Sequence, residues 1–283
     1  MKCAVCDQAS PKFFMNKNGY DLYRCSGCGL IFVWPLPKDF AEIYSQDYFS
    51  GASQGFGYAD YNADKKPMLS AWLKYLALIE KLLPNKGRLL DVGAATGFFM
   101  CLAKERGWQV NGVEISDFAA RSGRKAGLEI FTGTLENAPF AEESFDLITM
   151  WDVVEHLPQP REFFSRASRL LKKGGVIVIN TPDAGSILAG LLGKRWHLIV
   201  PPEHLHYFNL NSLSLLLSKT GFKILQHGKI GKKFTLHYVV KFIENRFSRR
   251  GFFSSQIAKN KFLKKIAIPI NTRDNFFVLA KKV

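Results

Sequence analysis

The stretch "GRLLDVGAATGFFMCLAKERG", residues 87–107, decides the fold of this chain. It begins with a short apolar run, passes through a glycine-rich turn between Gly93 and Gly97, and continues with apolar residues at helical spacing as far as Gly107. This order predicts a strand, a tight turn and an amphipathic helix. Asp91 lies at the end of the predicted strand, directly before the turn.

The same alternation continues along the chain. "QVNGVEIS" predicts a second strand that ends in Glu114, and "DFAARSGRKAG" predicts a helix that begins at Ser116 or Asp117. "LEIF", "FDLITMW" and "GGVIVIN" predict three further strands, and "LSAWLKYLALIEKLL" predicts a helix before the first one. Strands that alternate with helices indicate an α/β fold, a doubly wound and mostly parallel sheet with both faces covered.

Ligands of such sheets bind beyond the carboxyl ends of the strands. Gly93 and Gly97 let a ligand approach the backbone, and Glu114, 21 positions after Gly93, can accept hydrogen bonds from both hydroxyls of a ribose. An adenosine-bearing cofactor is therefore expected. The glycine spacing differs from the G-x-G-x-x-G pattern of nicotinamide dinucleotide sites. The carboxylate of Asp91 favours a cofactor with an ammonium group and no phosphates.

The segments "LLDVGAATG", "GVEIS", "FDLITMWDVVEHLPQP" and "LLKKGGVIVINTPD" together resemble the class I S-adenosylmethionine (SAM)-dependent methyltransferases. The resemblance covers about residues 69–228 and the terminal strand "NFFVLAKK". It implies a Rossmann-like sheet of seven strands, the last of which is antiparallel, and SAM as the cofactor.

The resemblance also implies a role for individual residues around the cofactor. Ala95 stands where many members have a third glycine, and Thr134 where an aspartate often contacts the adenine amine. The implied cofactor site consists of Asp91, Gly93, Ala95 and Gly97 around the methionine part, Glu114 at the ribose, Ile115, Thr134 and Leu135 around the adenine, and Met150, Trp151 and Asp152 under the sulfonium.

Four cysteines near the N-terminus form two C-x-x-C pairs, Cys3 with Cys6 and Cys25 with Cys28. Eighteen residues separate the pairs, a spacing that predicts a tetrahedral structural zinc site. Two disulfides, or idle thiols in a reducing cell, are the alternatives. The sequence shows no apolar secretion segment and no run of about 18 apolar residues, so we expect a cytoplasmic protein, in which disulfides are rare.

The predicted organisation has three parts: a zinc ribbon over 1–36, an aromatic linker or lid over 37–68, and a methyltransferase domain over 69–283. The ribbon, "GLIFVWPLP" and the later "PPEHLHYFN" further resemble a bacterial subgroup of small-molecule methyltransferases. Members of this subgroup are often associated with sugars, lipid-linked intermediates or quinones. The resemblance implies a small or lipid-linked acceptor, with a saccharide hydroxyl as one candidate.

The irregular stretch "RWHLIVPPEHLHYFN", residues 195–209, holds three of the six histidines. His204 and His206 alternate with Leu205, so an extended segment would present both on one side, with Glu203 beside them. These three residues and His156 are the predicted candidates for the general base. The alternative is that the rings hydrogen-bond the backbone of a buried loop. A zinc ion on this stretch is disfavoured, because methyl transfer does not require one.

Positive charge is concentrated at the C-terminal end of the chain. From Lys229 onward there are 14 Lys and Arg residues against two Asp and Glu, a net +12 of the formal +15. The segment 229–270 reads as a basic insertion before the last strand, with amphipathic helices that suit an anionic membrane surface at the inner face. The alternative for this segment is a solvated surface that contacts no membrane. For the whole chain, the alternatives to a small-molecule methyltransferase are an RNA base methyltransferase and a non-catalytic cofactor-binding adaptor.

Overall fold

The computed structural model describes residues 1–37, 68–236, 239–240, 244, 267–270 and 272–283. The chain forms two compact units. The first comprises Met1–Ile43, Lys86–Ile230 and Thr272–Val283, and the second comprises Tyr44–Asn85 and Gly231–Asn271. Almost all of the predicted lid over 37–68, and most of the basic insertion over 229–270, lie outside the described residues.

The helices and strands follow the predicted alternation. In chain order they are β1 (Lys12–Lys17), β2 (Tyr20–Arg24), β3 (Ile31–Val33), α1 (Leu69–Leu82), β4 (Arg88–Val92), α2 (Phe98–Glu105), β5 (Gln109–Glu114), α3 (Asp117–Lys125), β6 (Ile130–Thr132), β7 (Phe145–Trp151), α4 (Pro160–Leu170), β8 (Leu171–Pro182), α5 (Ile187–Leu192), β9 (His206–Tyr207), α6 (Leu210–Lys219), β10 (Phe222–Gly228), β11 (Lys232–Thr235), β12 (Ala267–Ile270) and β13 (Asn275–Lys282). The second unit contains α1 and the antiparallel pair of β11 and β12.

The large sheet of the first unit has the strand order β10-β13-β8-β7-β4-β5-β6. The strand β13 is antiparallel to both of its neighbours, and the other pairs are parallel. This arrangement confirms the predicted α/β class, the seven strands and the antiparallel last strand.

Helices on the sheet explain the sequence pattern of its central strands. Val176, Ile177, Val178 and Ile179 of β8 are successive buried residues, because a parallel strand covered on both faces has no exposed side. The helix α4 buries apolar residues at helical spacing and exposes Glu162 and Arg169 on its other side. The strand pattern predicted for β8 thus corresponds to a strand in the structure, and the helical pattern that precedes it corresponds to α4.

The strand order reverses at β4, because β5 lies on one side of it and β7 on the other. The carboxyl ends of β4 and β7 fall at the same edge of the sheet, since the two strands are parallel. Diverging connections at such a point leave a crevice, which is where ligands of doubly wound sheets bind. The turn after β4 and the residues after β7 border this crevice.

The N-terminal ribbon shares a sheet with a distant part of the chain. The antiparallel strands β1, β2 and β3 are joined by β9, so that Ile31 pairs with Tyr207 and Phe32 with His206. The amide of Val33 also donates to the carbonyl oxygen of Leu205 at 2.9 Å. The ribbon is therefore built into the loop that carries the histidines.

A side-chain contact and the core reinforce this junction. The guanidinium of Arg161 in α4 donates to the carbonyl oxygen of Val5 at 2.8 Å and to the carboxylate of Asp7 at 2.9 Å. Phe32 is buried in the same apolar cluster as Phe208 and the core of the large sheet. Ribbon and sheet thus have one continuous core.

This shared core predicts a large loss of stability for Phe32→Ala. The variant should lower the free energy of unfolding by about 3–5 kcal/mol, because it leaves a cavity between ribbon and sheet. Phe13→Ala in the same ribbon is the matched control: Phe13 is 60% exposed, and its removal should cost less than about 1 kcal/mol. Urea unfolding followed by tryptophan fluorescence measures both. Equal losses for the two variants would contradict a common core.

Candidate active site

The turn after β4 uses left-handed backbone at two glycines. Gly93 has φ +71° and Gly97 has φ +81°, and a Cβ on Gly97 would lie 2.1 Å from Cδ1 of Leu128. The amides of Gly93 and Ala94 donate to the carbonyl oxygen of Val113 at 2.9 and 3.0 Å. These bonds hold the turn against the end of β5.

Glu114 joins this turn to the start of α3. Its carboxylate is buried and accepts from the amide of Ala95 at 2.8 Å and from that of Ser116 at 2.9 Å, one bond to each oxygen. Burial raises the pKa of Glu114, and these backbone bonds act in the opposite direction. Since each carboxylate oxygen has two acceptor sites, the group retains capacity for the ribose hydroxyls that the sequence assigns to it.

Ala95, which replaces a glycine of many relatives, has φ +49°. An alanine in this left-handed region costs on the order of 1 kcal/mol. In this conformation the amide of Ala95 donates to Glu114. The hydrogen bond of the turn therefore forms with alanine at this position.

Asp91 is a buried carboxylate at the end of β4. The hydroxyl of Thr149 donates to it at 2.7 Å. Burial, with a smaller contribution from the charge of Glu114, raises the pKa of Asp91 to about 7, and the bond from Thr149 acts against this rise. Two buried carboxylates at one sheet edge favour a cationic ligand.

The residues expected around the adenine lie beside Glu114 and after β6. Ile115 is 42% exposed at the carboxyl end of β5, and Leu135 is buried, with Thr134 partly exposed next to it. Phe118, in the first turn of α3, is 39% exposed and was missed by the sequence analysis. An apolar side chain that stays exposed at a ligand crevice provides a surface for a flat ring.

The end of β7 fixes a third carboxylate. Asp152 has φ +56°, and its Oδ1 accepts from the side-chain amide of Asn180 at 2.7 Å and from that of Asn275 at 3.1 Å. Met150 is buried, and the ring of Trp151 packs 4.7 Å from that of Phe99. The sequence analysis missed both asparagines, because they come from β8 and β13.

This set of residues fits SAM. The turn brings bare backbone to the crevice, Asp91 can pair with the ammonium of the methionine part, and Glu114 can accept from ribose hydroxyls. A dinucleotide would instead need a place for its pyrophosphate at the start of α2, where the carboxylate of Asp91 precedes the turn. The chemistry of the donors thus agrees with the sequence-based choice of cofactor.

His156 and His204 meet beside this crevice. His156 lies in a short 3₁₀ turn, Val154–His156, directly after β7, and its ring centroid is 4.8 Å from that of His204 at an angle of 78°. Nδ1 of His156 is 2.7 Å from the carbonyl oxygen of Glu203, and Nδ1 of His204 is 2.9 Å from that of Leu198.

These bonds decide where the ring protons lie. A carbonyl oxygen can only accept, so both Nδ1 atoms carry hydrogen and both Nε2 atoms present a lone pair when the rings are neutral. Burial lowers the pKa of His156 and lowers that of His204 to about 3, while the charge of Asp152 acts in the opposite direction. Burial therefore favours the neutral form of both rings.

The other two predicted base candidates are placed differently. His206 lies in β9, where its ring stacks on Phe32 at 6.4 Å and packs 5.9 Å from Phe208, at the junction with the ribbon. Glu203 is partly exposed, and burial raises its pKa to about 7. The structure brings together His156 and His204 rather than His204 and His206.

Several rings of residues 195–209 also hold the loop. The hydroxyl of Tyr207 donates to the carbonyl oxygen of His204 at 2.9 Å, and Nε1 of Trp196 donates to the carboxylate of Asp274 at 3.0 Å. The alternative interpretation, that these rings satisfy backbone groups, thus describes one nitrogen of each histidine in the pair.

The four ribbon cysteines converge as predicted. The sulfur atoms of Cys3 and Cys28 lie 3.6 Å apart, those of Cys6 and Cys25 lie 3.3 Å apart, and all four are within 4.8 Å of one another. A zinc ion with four bonds of about 2.3 Å separates its sulfur ligands by about 3.8 Å. All four thiols are free, so the cluster fits a closed structural zinc site.

The fold and the crevice define a class I SAM-dependent methyltransferase. The model of the family described as "Methyltransferase domain" matches residues 61–227, more than half of the chain. The chain therefore belongs to this family, which confirms the resemblance stated from its motifs.

Individual relatives cover parts of the chain. An uncharacterized protein of Methanocaldococcus jannaschii is 30% identical over 138 residues, which are 49% of this chain and 65% of that protein, so the chain spans slightly less than two thirds of it. A ubiquinone biosynthesis O-methyltransferase of Paracidovorax citrulli is 26% identical over 160 residues, 53% of this chain and 67% of that protein.

Among solved structures, phosphoethanolamine N-methyltransferase 2 of Haemonchus contortus in complex with S-adenosyl-L-methionine is similar in fold. The TM-score is 0.56 at 19% identity, over 89% of this chain and 62% of that one. At this identity, the likeness shows the fold alone.

The raised pKa of Asp91 predicts pH-dependent binding of SAM. With the pKa near 7 in the free protein, the carboxyl must lose its proton to pair with the ammonium, so the affinity should fall by up to about tenfold per pH unit below 7. Above pH 7.5 it should be constant. Isothermal titration between pH 5.5 and 8.5 measures this, and Asp91→Asn should bind weakly at every pH. If the affinity of the wild type for SAM did not change with pH, Asp91 would not be the partner of the ammonium group.

The cysteine cluster predicts one zinc ion that thiol-blocking reagents release. Cys28→Ser should lose this zinc and lower Tm by at least about 5 °C, because zinc binding contributes to folding and Cys28 also lies in the common core. Cys101→Ser, outside the cluster, is the matched control and should keep both. Zinc release followed by a chromogenic chelator, together with calorimetry, tests this. Full zinc content in Cys28→Ser would refute the assignment.

Proposed function

We propose that this protein transfers a methyl group from SAM to a hydroxyl of a small-molecule acceptor, with a saccharide, free or lipid-linked, as the class. One observation carries the proposal: the rings of His156 and His204 pack with their centroids 4.8 Å apart, and His156 lies in the turn directly after β7. A neutral imidazole can accept a hydrogen bond from a hydroxyl group. Bound SAM would supply a methyl group activated by a sulfonium.

Residues on one side of the crevice bind the cofactor, and residues on the other side bind the acceptor. Asp91 and Glu114 hold the ammonium and the ribose of the cofactor, and Asp152 stays fixed by its two asparagines. On the other side, His156 and His204 orient the acceptor hydroxyl. Its proton must leave as the oxygen becomes a nucleophile, and Glu203, His204, His156 and His206 remain the base candidates from the sequence.

The relatives support methyl transfer to small molecules. The name of the Paracidovorax citrulli relative describes an O-methyltransferase of ubiquinone biosynthesis. A hydroxyl acceptor for the present chain is in keeping with that name. The saccharide class rests on the second resemblance of the sequence, through the ribbon and "PPEHLHYFN".

The net +12 of the chain from Lys229 onward supports contact with an anionic surface, and we extend the proposal to peripheral binding at the inner membrane face. This segment lies largely outside the described residues. In the part of the chain that the structure describes, no helix is both long and apolar enough to cross a bilayer.

The proposal predicts selective loss of turnover in His204→Gln and His156→Gln. Both variants should lower kcat by at least about 100-fold, because an acceptor group that faces the substrate is lost, while the Kd for SAM stays within threefold. His227→Gln, an exposed histidine in β10, is the matched control and should retain full activity. Transfer of isotope-labelled methyl from SAM to a panel of nucleotide sugars, lipid-linked saccharides and RNA, with and without anionic vesicles, measures turnover.

Three outcomes would overturn the proposal. Label that enters RNA alone would establish the base methyltransferase instead, and salt-dependent RNA binding would accompany it. Tight SAM binding without any labelled product would establish the cofactor-binding adaptor. Unchanged turnover in both histidine variants would show that His156 and His204 do not orient the acceptor hydroxyl.

A further inference from the structure

A carboxylate joins the histidine pair to form a cluster of three. Glu155 is buried in the turn between β7 and His156, and one ligand atom from each of Glu155, His156 and His204 lies within 4.8 Å of the other two. The sequence analysis did not single out Glu155, although it stands next to His156. Two imidazoles and a carboxylate are a ligand set of divalent transition metals.

We infer that Glu155, His156 and His204 form an open binding site for a divalent transition-metal ion. It differs in kind from the cysteine cluster. Four cysteines close the coordination of a structural zinc ion, whereas two histidines and one carboxylate leave at least one position for water or substrate.

The hydrogen bonds around the cluster support this inference. A histidine that binds a metal through one nitrogen usually donates its other N–H to a carbonyl or carboxylate, which fixes the tautomer. His156 does so to Glu203 at 2.7 Å, and His204 does so to Leu198 at 2.9 Å. The carboxylate of Glu155 is oriented in turn, because its Oε2 accepts from the hydroxyl of Thr181 at 2.8 Å.

The backbone holds the two parts of the cluster in register. The amide of Leu205 donates to the carbonyl oxygen of Glu155 at 2.8 Å, so that the turn after β7 is bonded to the residue next to His204. Zinc ligands lie about 3.4 Å apart around the ion, and the three ligand atoms lie within 4.8 Å of one another, so binding requires each pair to close by at most about 1.4 Å. Small rotations of the side chains can supply this movement.

The charges favour a cation at this place. Glu155 is 1% exposed, and the charge of Asp152 acts on both imidazoles. Buried carboxylates beside neutral lone pairs are stabilised by a metal ion. The inference rests on the proposed function for one point only: with both imidazoles bound to the ion, the ion rather than the rings would bind the acceptor oxygen and make its hydroxyl more acidic. Metal binding itself does not depend on that function.

The test is metal stoichiometry on the full chain. After reconstitution with Zn²⁺ and gel filtration, the wild type should retain two equivalents, of which thiol-blocking reagents release one. Glu155→Gln, His156→Gln and His204→Gln should retain only the thiol-bound equivalent, with the affinity for the other lowered at least about 100-fold. His206→Gln changes a buried histidine of the same loop outside the cluster, and should keep both equivalents.

Cobalt provides a second readout. Titration with Co²⁺ of the wild type that holds one equivalent of Zn²⁺, in the cysteine cluster, should produce weak visible d–d bands without thiolate charge-transfer absorption, and these bands should be missing in His204→Gln. Unchanged circular dichroism and SAM affinity establish that the variants are folded. The inference fails if the wild type binds only the thiol-bound ion with both Zn²⁺ and Co²⁺, or if His204→Gln keeps the second equivalent.

The methyl-transfer assay separates this failure from that of the proposed function. If no second ion binds but a hydroxyl acceptor is methylated, the metal site alone is wrong. If the second ion binds and no acceptor is methylated, the site stands and the proposed function is wrong.

Discussion

The gathering of carboxyl groups, most of them buried, at the carboxyl edge of one sheet is the constraint on which the active site depends. Because β4, β5 and β7 are parallel, their ends bring Asp91, Glu114 and Asp152 to the same edge, and the turn after β7 adds Glu155. Removing carboxylates from water is unfavourable unless hydrogen bonds or cations compensate. Backbone amides and side-chain amides satisfy part of this need, and a cationic cofactor and a metal ion are ligands that satisfy more of it.

The pairing of β3 with β9 gives the ribbon a role beyond its own stability. About 35 residues cannot form an adequate core alone, and the zinc cluster together with the shared sheet replaces the missing core. The same pairing sets the position of residues 204–207, because His206 pairs with Phe32 and Leu205 is bonded to both Val33 and Glu155. A structural metal site is thereby connected to the acceptor side of the crevice through four consecutive residues.

The fold and the cofactor side could be predicted from the sequence because their signals are local. The turn from Asp91 to Gly97 and the distance to Glu114 lie within one strand–helix–strand unit, and the two C-x-x-C pairs carry their own spacing. The acceptor side is less accessible to such reasoning. An extended segment would place His204 and His206 together, but the pairing of β9 with the ribbon takes His206 to Phe32. Similarly, Asn180 and Asn275 reach Asp152 only through the order of β8 and β13 in the sheet, which no local pattern records.

The position of β13 has a consequence for the synthesis of the chain on the ribosome. This strand lies between β8 and β10 but follows both of them in sequence. Until it emerges, β8 lacks one of its two neighbours and β10 lacks its neighbour in the large sheet, so each has an open edge that another chain could pair with. Asn275 and Asp274, which hold Asp152 and Trp196, arrive with the same segment. The side chains of Asp152 and Trp196 therefore gain these partners only after β10 has been synthesised.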